Sequence, residues 1–322
     1  MGLMRPLRLM TYNVRYFGHA TRGVLSTRKG IERIAHTLAA LDPLVDVLCL
    51  QEVEGFSLRS SLVTWRPRRQ ETQLGVLMDA LDGALERRGL RDRYVAAYFP
   101  AHVYRLTRRT NLYTTGLAIL VNDRLRIAGH NLRRPVDITH RRRATPTLKQ
   151  TRICAHVTVT GDGVGQLDVF NTHMSLPGVL YPEMWRPGDR FGFGPNQLKE
   201  AQRLVETIDH RRNGEDVVLV GDFNSLPGSP VDELLRTRVG LVDALAHSKG
   251  LSGERLRSWS TAGFMKKRMN IDRIYSSPTV QWLDFEGSAP FDPPHGGATG
   301  FHGLSDHVPL LGRLRASSAL RG

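Results

Sequence analysis

The amino-acid sequence predicts a mixed α/β fold with many strands. Short, β-branched apolar runs, such as residues 45–50 and 217–220, recur along the chain and are typical of buried strands. Longer segments between them, such as 28–41 and 73–88, carry apolar residues three and four positions apart, which is typical of amphipathic helices. The 322 residues show no internal repeat and no evident linker, so we expect one domain spanning residues 1–322.

Local signals define most elements in order. Strands are predicted at residues 7–12, 45–50, 94–99, 115–121, 125–128, 152–160, 166–171, 217–220, 270–275, 280–285 and 308–314, and helices at 28–41, 73–88, 197–211 and 231–235. Pro43 ends the first helix, because the residue before a proline disfavours helical backbone. Ser229 and Pro230 suit the N-cap and first turn of the last helix. A turn at Asn122 and Asp123 predicts that the strands on either side of it are neighbours.

Three segments without periodicity, near residues 54–70, 133–149 and 177–195, are predicted to be loop insertions. The third is rich in Gly, Pro and aromatic residues. Its aromatic side chains are expected to pack the loop onto the domain, although they could also stack on bases or contact a lipid headgroup region: Tyr181, Trp185, Phe191 and Phe193.

The composition gives only a weak indication of the substrate. The formal charge of +14, from 45 basic and 31 acidic residues, suits polyanions such as nucleic acid. Only six of the basic residues are lysines, however, and this excess of arginine is equally explained by codon bias in a GC-rich genome. The basic segments 66–69, 108–109 and 133–143 could follow a nucleic-acid backbone or could be solvated surface.

The two cysteines, Cys49 and Cys154, lie in apolar runs and are expected to be buried and inert. They provide neither a disulfide framework nor a thiolate zinc site. No apolar run is long enough to span a bilayer, and the basic N-terminus leads directly into a strand rather than a cleavable leader. We therefore expect a cytoplasmic protein with no transmembrane segment, and no obligate protein partner is evident.

Polar side chains suited to chemistry follow several predicted strands. They are Asn13, Glu52, His173, Asp222, Asn224, Asp272, Asp306 and His307. Each one alone is well explained as a turn residue, an ion-pair partner or a cap. Their repetition at strand ends is harder to explain in this way, because ligands of α/β proteins collect where strand ends converge.

The residue types at these strand ends suit one reaction. Carboxylate and amide oxygens are hard ligands for Mg²⁺ or Mn²⁺. The two histidines could donate hydrogen bonds to a phosphate or transfer protons. The sequence contains no recognisable Ser or Cys nucleophile motif, P-loop or dinucleotide fingerprint. Metal-assisted attack of water on a phosphate ester is the reaction that uses all of these groups.

Seven motifs, taken together, resemble the endonuclease/exonuclease/phosphatase superfamily, which includes the DNase I-like nucleases. In order along residues 11–310 they are TYNVR, LCLQEVEG, TTGLAIL, VFNTHM, LVGDFNSLPGSP, NIDRIY and LSDHVPL. The resemblance implies a four-layer α/β/β/α sandwich, with two central mixed β-sheets packed face to face and helices outside.

The resemblance also implies roles for the strand-end residues. Asn13, Glu52 and Asp306 match metal-site residues of the family. Asp222 and Asn224 match the pair that positions the attacking water and stabilises the transition state.

The remaining matches concern the substrate phosphate. His173 matches a phosphate-contacting histidine, and Asp272 matches the aspartate that orients the last histidine. His307 matches that histidine, which binds the scissile phosphate and meets its developing charge. Arg152 occupies the position at which some members carry a phosphate-binding arginine.

Two differences from the abasic-site endonucleases of the family narrow the expected activity. Abasic-site endonucleases have an aspartate where this chain has Arg15, and usually a tyrosine where it has His173, so a dedicated base-excision enzyme is disfavoured. We expect a Mg²⁺- or Mn²⁺-dependent phosphodiesterase whose substrate is a phosphate ester of nucleic acid. A phospholipid, sphingolipid or inositol-phosphate phosphoesterase is the alternative. A non-catalytic nucleic-acid-binding protein on the same scaffold is a third hypothesis.

Overall fold

The computed structural model describes residues 5–15, 24–57, 72–105, 111–140, 150–161, 165–177, 191–264, 267–285, 288–291 and 300–317. The elements of the first half are β1 (Leu7–Asn13), α1 (Val24–Ala39), β2 (Val47–Ser57), α2 (Gln73–Arg87), β3 (Tyr94–Arg105), β4 (Asn111–Asn122), β5 (Arg126–His130) and β6 (Val136–Asp137). Those of the second half are β7 (Ile153–Gly161), β8 (Gly165–His173), α3 (Pro195–Arg211), β9 (Val217–Asp222), α4 (Pro230–Val239), β10 (Val242–Asp243), α5 (Ala244–Lys249), α6 (Gly253–Ser258), β11 (Ala262–Phe264), β12 (Lys267–Met269), β13 (Asp272–Ser276), β14 (Gln281–Asp284) and β15 (Leu310–Arg315).

These strands form two large mixed sheets and one small hairpin. The first sheet has the order β14-β15-β1-β2-β4-β3, and its β1–β2 pair is parallel. The second sheet has the order β10-β13-β9-β8-β7-β5, with β6 also paired to β7, and its β8–β9 pair is parallel. Strands β11 and β12 pair separately.

Alternation along the strands explains how the sheets pack. Leu7 and Leu9 of β1 join Val218 and Val220 of β9 in one buried cluster between the two sheets. The intervening Met10 packs instead with the apolar faces of α1 and α2, on the outside of the first sheet. Residues of β9 with the opposite orientation pack against α3 and α4. Because side chains alternate between faces, each sheet buries both sides, and the predicted four-layer α/β/β/α sandwich is confirmed.

The structure corrects one prediction of strand pairing. Strands β4 and β5, which flank the turn at Asn122 and Asp123, are not neighbours. Strand β4 pairs with β2 and β3 in the first sheet, whereas β5 pairs with β7 in the second. The turn therefore carries the chain from one sheet to the other. A short turn is compatible with a hairpin, but it does not by itself require one.

The predicted insertions lie partly outside the described residues. Residues 54–57 continue strand β2, so that insertion begins later than predicted. Residues 58–71, 141–149 and 178–190, which include Tyr181 and Trp185, lie outside the described residues. So do the basic segments 66–69 and 108–109. Phe193 is 44% exposed, so the prediction that it packs the loop onto the domain is wrong. Both cysteines are buried and free, as predicted.

The parallel pairs bring several strand ends to one edge of the sandwich. In the first sheet, Asn13 at the end of β1 lies beside Gln51 of β2. In the second sheet, His173 at the end of β8 lies beside Asp222 at the end of β9. Strand β13 runs antiparallel to β9 and places its first residue, Asp272, opposite Asp222. Among the helices in the described part of the chain, none combines the length and the apolar composition of a membrane span.

Candidate active site

Polar side chains from both sheets meet at this edge. The Asn13 Nδ2 donates to Asp222 Oδ2 at 3.0 Å and lies 3.3 Å from Glu52 Oε1. His173 Nε2 lies 3.5 Å from Asp222 Oδ2 and 3.9 Å from Glu52 Oε1. The residues that the sequence predicted as a site therefore converge, although Asn13 and Asp222 are 209 positions apart.

His307 and Asp272 complete the cluster as a hydrogen-bonded pair. The Nδ1–H of His307 donates to Asp272 Oδ2 at 2.7 Å, and the Nε2 lies 3.9 Å from Asp222 Oδ2. Burial alone would lower the pKa of His307, but the carboxylates of Asp272, Asp222 and Asp306 raise it to about 10. His307 is therefore an imidazolium at neutral pH, with its Nε2–H directed towards the cluster.

The other titratable groups respond mainly to burial. Burial lowers the pKa of His173 well below its ordinary value, and the nearby charges of Arg152 and His307 lower it further. Burial raises the pKa of Glu52. Burial also raises the pKa of Asp222 to about 7, with a further contribution from Asp272. The two histidines thus differ in charge at neutral pH, because only His307 has a carboxylate bonded to its Nδ1.

Irregular backbone conformations set the positions of Glu52 and Asp222. The β2–β4 register shifts between Leu50 and Val53, so β2 bulges at Glu52, whose φ is 57°. Gly221 has a φ of 145°, and a Cβ there would lie 1.9 Å from the carbonyl oxygen of Thr172. Only glycine allows β9 to lie this close to β8 just before Asp222.

Asn224 follows with a φ of 46°. Its backbone N–H donates to Asp222 Oδ1 at 2.9 Å, whereas its side-chain Nδ2 donates to the carbonyl oxygen of Met174 at 2.9 Å. Asn224 therefore holds the Asp222 carboxylate through its backbone. Asp222 presents its other oxygen, Oδ2, to Asn13 and both histidines.

Asp306 lies beside the cluster in an ion pair with Arg15. The backbone N–H of Arg15 also donates to Asn13 Oδ1 at 3.0 Å. Ser305 connects the same region, because its hydroxyl donates to the Asn13 carbonyl and accepts from the His307 N–H. In the sequence, Arg15 stands out only as a departure from the abasic-site endonucleases, and no pattern singles out Ser305.

Arg152 lies beside His173. The two residues line a small cavity with Thr115 and Thr151. Arg152 is 9% exposed, and its Nε has no hydrogen-bond partner among the described residues.

A second cavity, of about 880 Å³, lies away from this cluster. Arg273 lines it and forms ion pairs with Asp232 and Asp243, which also line it. Arg273 follows Asp272 on β13 and so points to the opposite face of the sheet. None of the strand-end residues of the cluster lines this cavity, so the cavity is separate from the candidate site.

Two groups of side chains could hold a metal ion. Asp222, Asp272 and His307 present ligand atoms within 4.8 Å of one another, in buried positions. The predicted group of Glu52, Asp306 and Asn13 contains two carboxylates, whose oxygens Mg²⁺ and Mn²⁺ prefer. Its third member, Asn13, presents its Nδ2 to Glu52, whereas its Oδ1 accepts from the Arg15 N–H. Its fit is supported by Glu52, whose buried carboxylate has a raised pKa and would gain from a nearby cation.

The fold defines a class of protein, the four-layer α/β sandwiches, and the cluster lies at one edge of the sandwich. The model of the Endonuclease/Exonuclease/phosphatase family matches residues 10–307, and the chain belongs to this family. This is a superfamily of metal-dependent hydrolases of phosphate esters. A search of curated proteins returned no match.

Solved structures show the same fold. A family member from Leptotrichia buccalis is 17% identical, with a TM-score of 0.62 over 96% of this chain and 99% of that chain. An endonuclease/exonuclease/phosphatase from Beutenbergia cavernae is 20% identical, with a TM-score of 0.61 over 97% of this chain and 72% of that chain. The human Nocturnin catalytic domain with bound sulfate is 20% identical, with a TM-score of 0.58 over 98% and 96%.

Proposed function

We propose that this protein is a Mg²⁺- or Mn²⁺-dependent phosphodiesterase that hydrolyses nucleic acid, with residues 1–322 acting as one domain. The observation that carries the proposal is the convergence of Asn13 and Glu52 from the first sheet with His173 and Asp222 from the second, within 4 Å. Acid, base and metal-ligand groups in one place are what phosphate-ester hydrolysis requires.

In the proposed mechanism, Asp222 orients the attacking water and accepts its proton. A carboxylate whose pKa is raised to about 7 suits this role, because a general base works best near the operating pH. Asn224 fixes the carboxylate through its backbone N–H. The imidazolium of His307 donates its Nε2–H to a phosphate oxygen and stabilises the charge that develops there, and Asp272 holds its ring in place.

The substrate phosphate would also contact His173 and Arg152. His173 is neutral at neutral pH and donates a hydrogen bond, whereas the Arg152 guanidinium supplies a positive charge. Glu52 and Asp306 would hold the metal ion, and Asn13 would hold the Glu52 carboxylate in place through its Nδ2. When bound, Mg²⁺ or Mn²⁺ would supply Lewis-acid stabilisation of charge on the phosphate oxygens.

One observation favours the second candidate, a phospholipid or sphingolipid substrate. Leu176, three residues after His173, is 54% exposed, and Phe193 is 44% exposed. Gln197 ties both segments to the site, because its Nε2 donates to the carbonyls of Ser175 and Asn224 and its Oε1 accepts from Gly192 N–H. Exposed apolar side chains on fixed backbone suit a substrate with an apolar part.

A substrate panel tests the proposal. Purified protein with Mg²⁺ or Mn²⁺ is assayed on single- and double-stranded DNA, RNA, sphingomyelin, phosphatidylcholine and inositol phosphates. Hydrolysis of nucleic acid that chelation with EDTA abolishes is expected. Activity on lipids or inositol phosphates alone would contradict the choice of substrate. Salt-dependent DNA binding without hydrolysis of any substrate would support the non-catalytic alternative.

A further inference from the structure

The two halves of the candidate site stand on different sheets. Asn13 and Glu52 belong to the first sheet, and His173 and Asp222 belong to the second. Between the sheets lies mainly apolar packing, which is non-directional and does not set the position of one strand end against another to a fraction of an ångström. A directional contact near the site is needed for that purpose.

Asn171 on β8 makes such a contact. It is fully buried, and its Nδ2 donates across the interface to the carbonyl oxygens of Leu50 on β2, at 3.0 Å, and Ala118 on β4, at 3.2 Å. Its Oδ1 accepts a hydrogen bond from Gln51 Nε2 at 2.8 Å. Gln51 is also fully buried, and its Nε2 lies 3.0 Å from Thr11 Oγ1 on β1. One side chain of the second sheet is thus bonded to two strands of the first and linked to a third.

These contacts fall at the β2 bulge. Leu50 and Ala118 are the last register pair before the shift, and pairing resumes at Val53 and Gly116. The ladder between β2 and β4 is interrupted there, and the Asn171 amide supplies hydrogen bonds to the carbonyls beside the interruption. Glu52 lies within the bulge, in a left-handed conformation that costs energy for a residue other than glycine. The surrounding contacts must therefore hold it.

We propose that Gln51 and Asn171 are positioning residues, which form an inter-sheet clasp that sets the position of Glu52 relative to His173 and Asp222. Gln51 immediately precedes Glu52. Asn171 lies two residues before His173 on the same face of β8. Displacement of the clasp therefore moves the two halves of the site relative to each other. This inference rests on the proposed function for its kinetic test but not for its metal-binding test.

Two substitutions test the clasp. Asn171→Leu keeps the approximate volume and removes the three cross-sheet hydrogen bonds of the Asn171 side chain. Gln51→Met keeps the shape and removes the amide. Because a displacement of about 1 Å can cost about 10²-fold in rate, each is expected to lower kcat at least about tenfold with KM for the substrate little changed. Mn²⁺ affinity, measured by electron paramagnetic resonance without substrate, is expected to fall in parallel.

Asn122→Leu is the matched control. Asn122 is also buried, its side chain also forms hydrogen bonds as both donor and acceptor, and it lies at the far end of β4. The control is expected to lose thermal stability while keeping kcat and Mn²⁺ affinity.

Unchanged kcat and Mn²⁺ affinity in folded Asn171→Leu, or losses that Asn122→Leu shares, would overturn the clasp. If Asn171→Leu does not fold, Gln51→Met decides on the same criteria. A wild-type protein that hydrolyses nothing would overturn the proposed function, and the clasp would then be judged on Mn²⁺ affinity.

Discussion

At the scale of single residues, environment gives the two histidines of the site different roles. Both are buried within 4 Å of the Asp222 carboxylate. Only His307 has a carboxylate at its Nδ1, and this partner, together with the charges of Asp222 and Asp306, outweighs the cost of burying a charge. The same residue type therefore supplies a cation at one position and a neutral hydrogen-bond donor at the other. A sequence pattern alone does not distinguish these two states.

Replacing Asp272 tests this assignment directly. In Asp272→Asn, the pKa of His307 is expected to fall from about 10 towards the ordinary value of 6.5, because the carboxylate that favours the imidazolium is lost. Nuclear magnetic resonance titration of the imidazole nitrogens in the metal-free protein measures this pKa. A His307 that stays charged above pH 8 in the variant would contradict the assigned cause.

A second substitution distinguishes the two groups that could hold a metal. Glu52→Gln is expected to weaken Mn²⁺ binding, measured by calorimetry, at least about tenfold, since loss of even a supporting group typically costs that much. Asp272→Asn is expected to leave Mn²⁺ affinity unchanged. The reverse result would move the metal from Glu52, Asp306 and Asn13 to the group of Asp222, Asp272 and His307.

At the scale of elements, the site depends on how closely β8 and β9 approach each other. The close approach at Gly221 carries the chain into Asp222 and aligns that residue with His173. Gly221→Ala is expected to cost more than about 4 kcal/mol of unfolding free energy or to prevent folding, because the new Cβ meets backbone that cannot move away. Urea denaturation measures the loss.

Gly240→Ala is the control for that substitution. Gly240 has a φ of 71° and nothing within 4 Å of the added Cβ, so only backbone strain applies. The expected cost is about 1–2 kcal/mol. Equal costs at the two positions would show that the approach of β8 to β9 is not close.

The β7–β8 pair contains a carboxylate that makes stability depend on pH. Burial alone would raise the pKa of Asp168, but hydrogen bonds from His156, Thr158 and the Asn213 N–H lower it. A lowered folded-state pKa contributes stability that is complete above the unfolded pKa, about 3.9, and is lost as pH falls through the folded value.

Asp168→Asn is therefore expected to cost about 1.5–3 kcal/mol at pH 7, the usual range for hydrogen bonds to a charged group. The difference from wild type should shrink as pH falls below about 4. Urea unfolding of both proteins from pH 7 to pH 3 measures this difference. A difference that does not change with pH would show that the charge of Asp168 is not responsible.

At the scale of the whole molecule, the sequence was sufficient for the fold class and for the convergence of the site. Strand-end residues such as Asn13, His173 and Asp222 were identifiable because a buried strand of known direction fixes where its end lies. The pairing of β4 with β5 was wrongly predicted, since a two-residue turn does not reveal whether the next strand stays in the same sheet. The short elements between residues 242 and 269 were missed, because they are too brief to show periodicity.

Other features of the site could not be predicted, because they depend on contacts between residues that are far apart in the sequence. Arg15 and Asp306 form an ion pair across 291 positions, and Asn171 bonds to carbonyls 121 and 53 positions away. Nothing local in the sequence reveals which residues are partners in these contacts. The signal that could have found Gln51 and Asn171 was their place inside the LCLQEVEG and VFNTHM motifs, each beside a predicted site residue.

The most direct test of the central claim is the initial rate of Mg²⁺- or Mn²⁺-dependent phosphodiester hydrolysis in Asp222→Asn. Asp216→Asn is the control, because Asp216 is also buried but lies just before the opposite end of β9. Loss of a general base typically costs about 10²–10⁴-fold, so a loss of that size in kcat is expected for Asp222→Asn, with a folded protein by circular dichroism and near-normal activity in the control. Normal activity in folded Asp222→Asn would contradict the assignment of this cluster as the catalytic site.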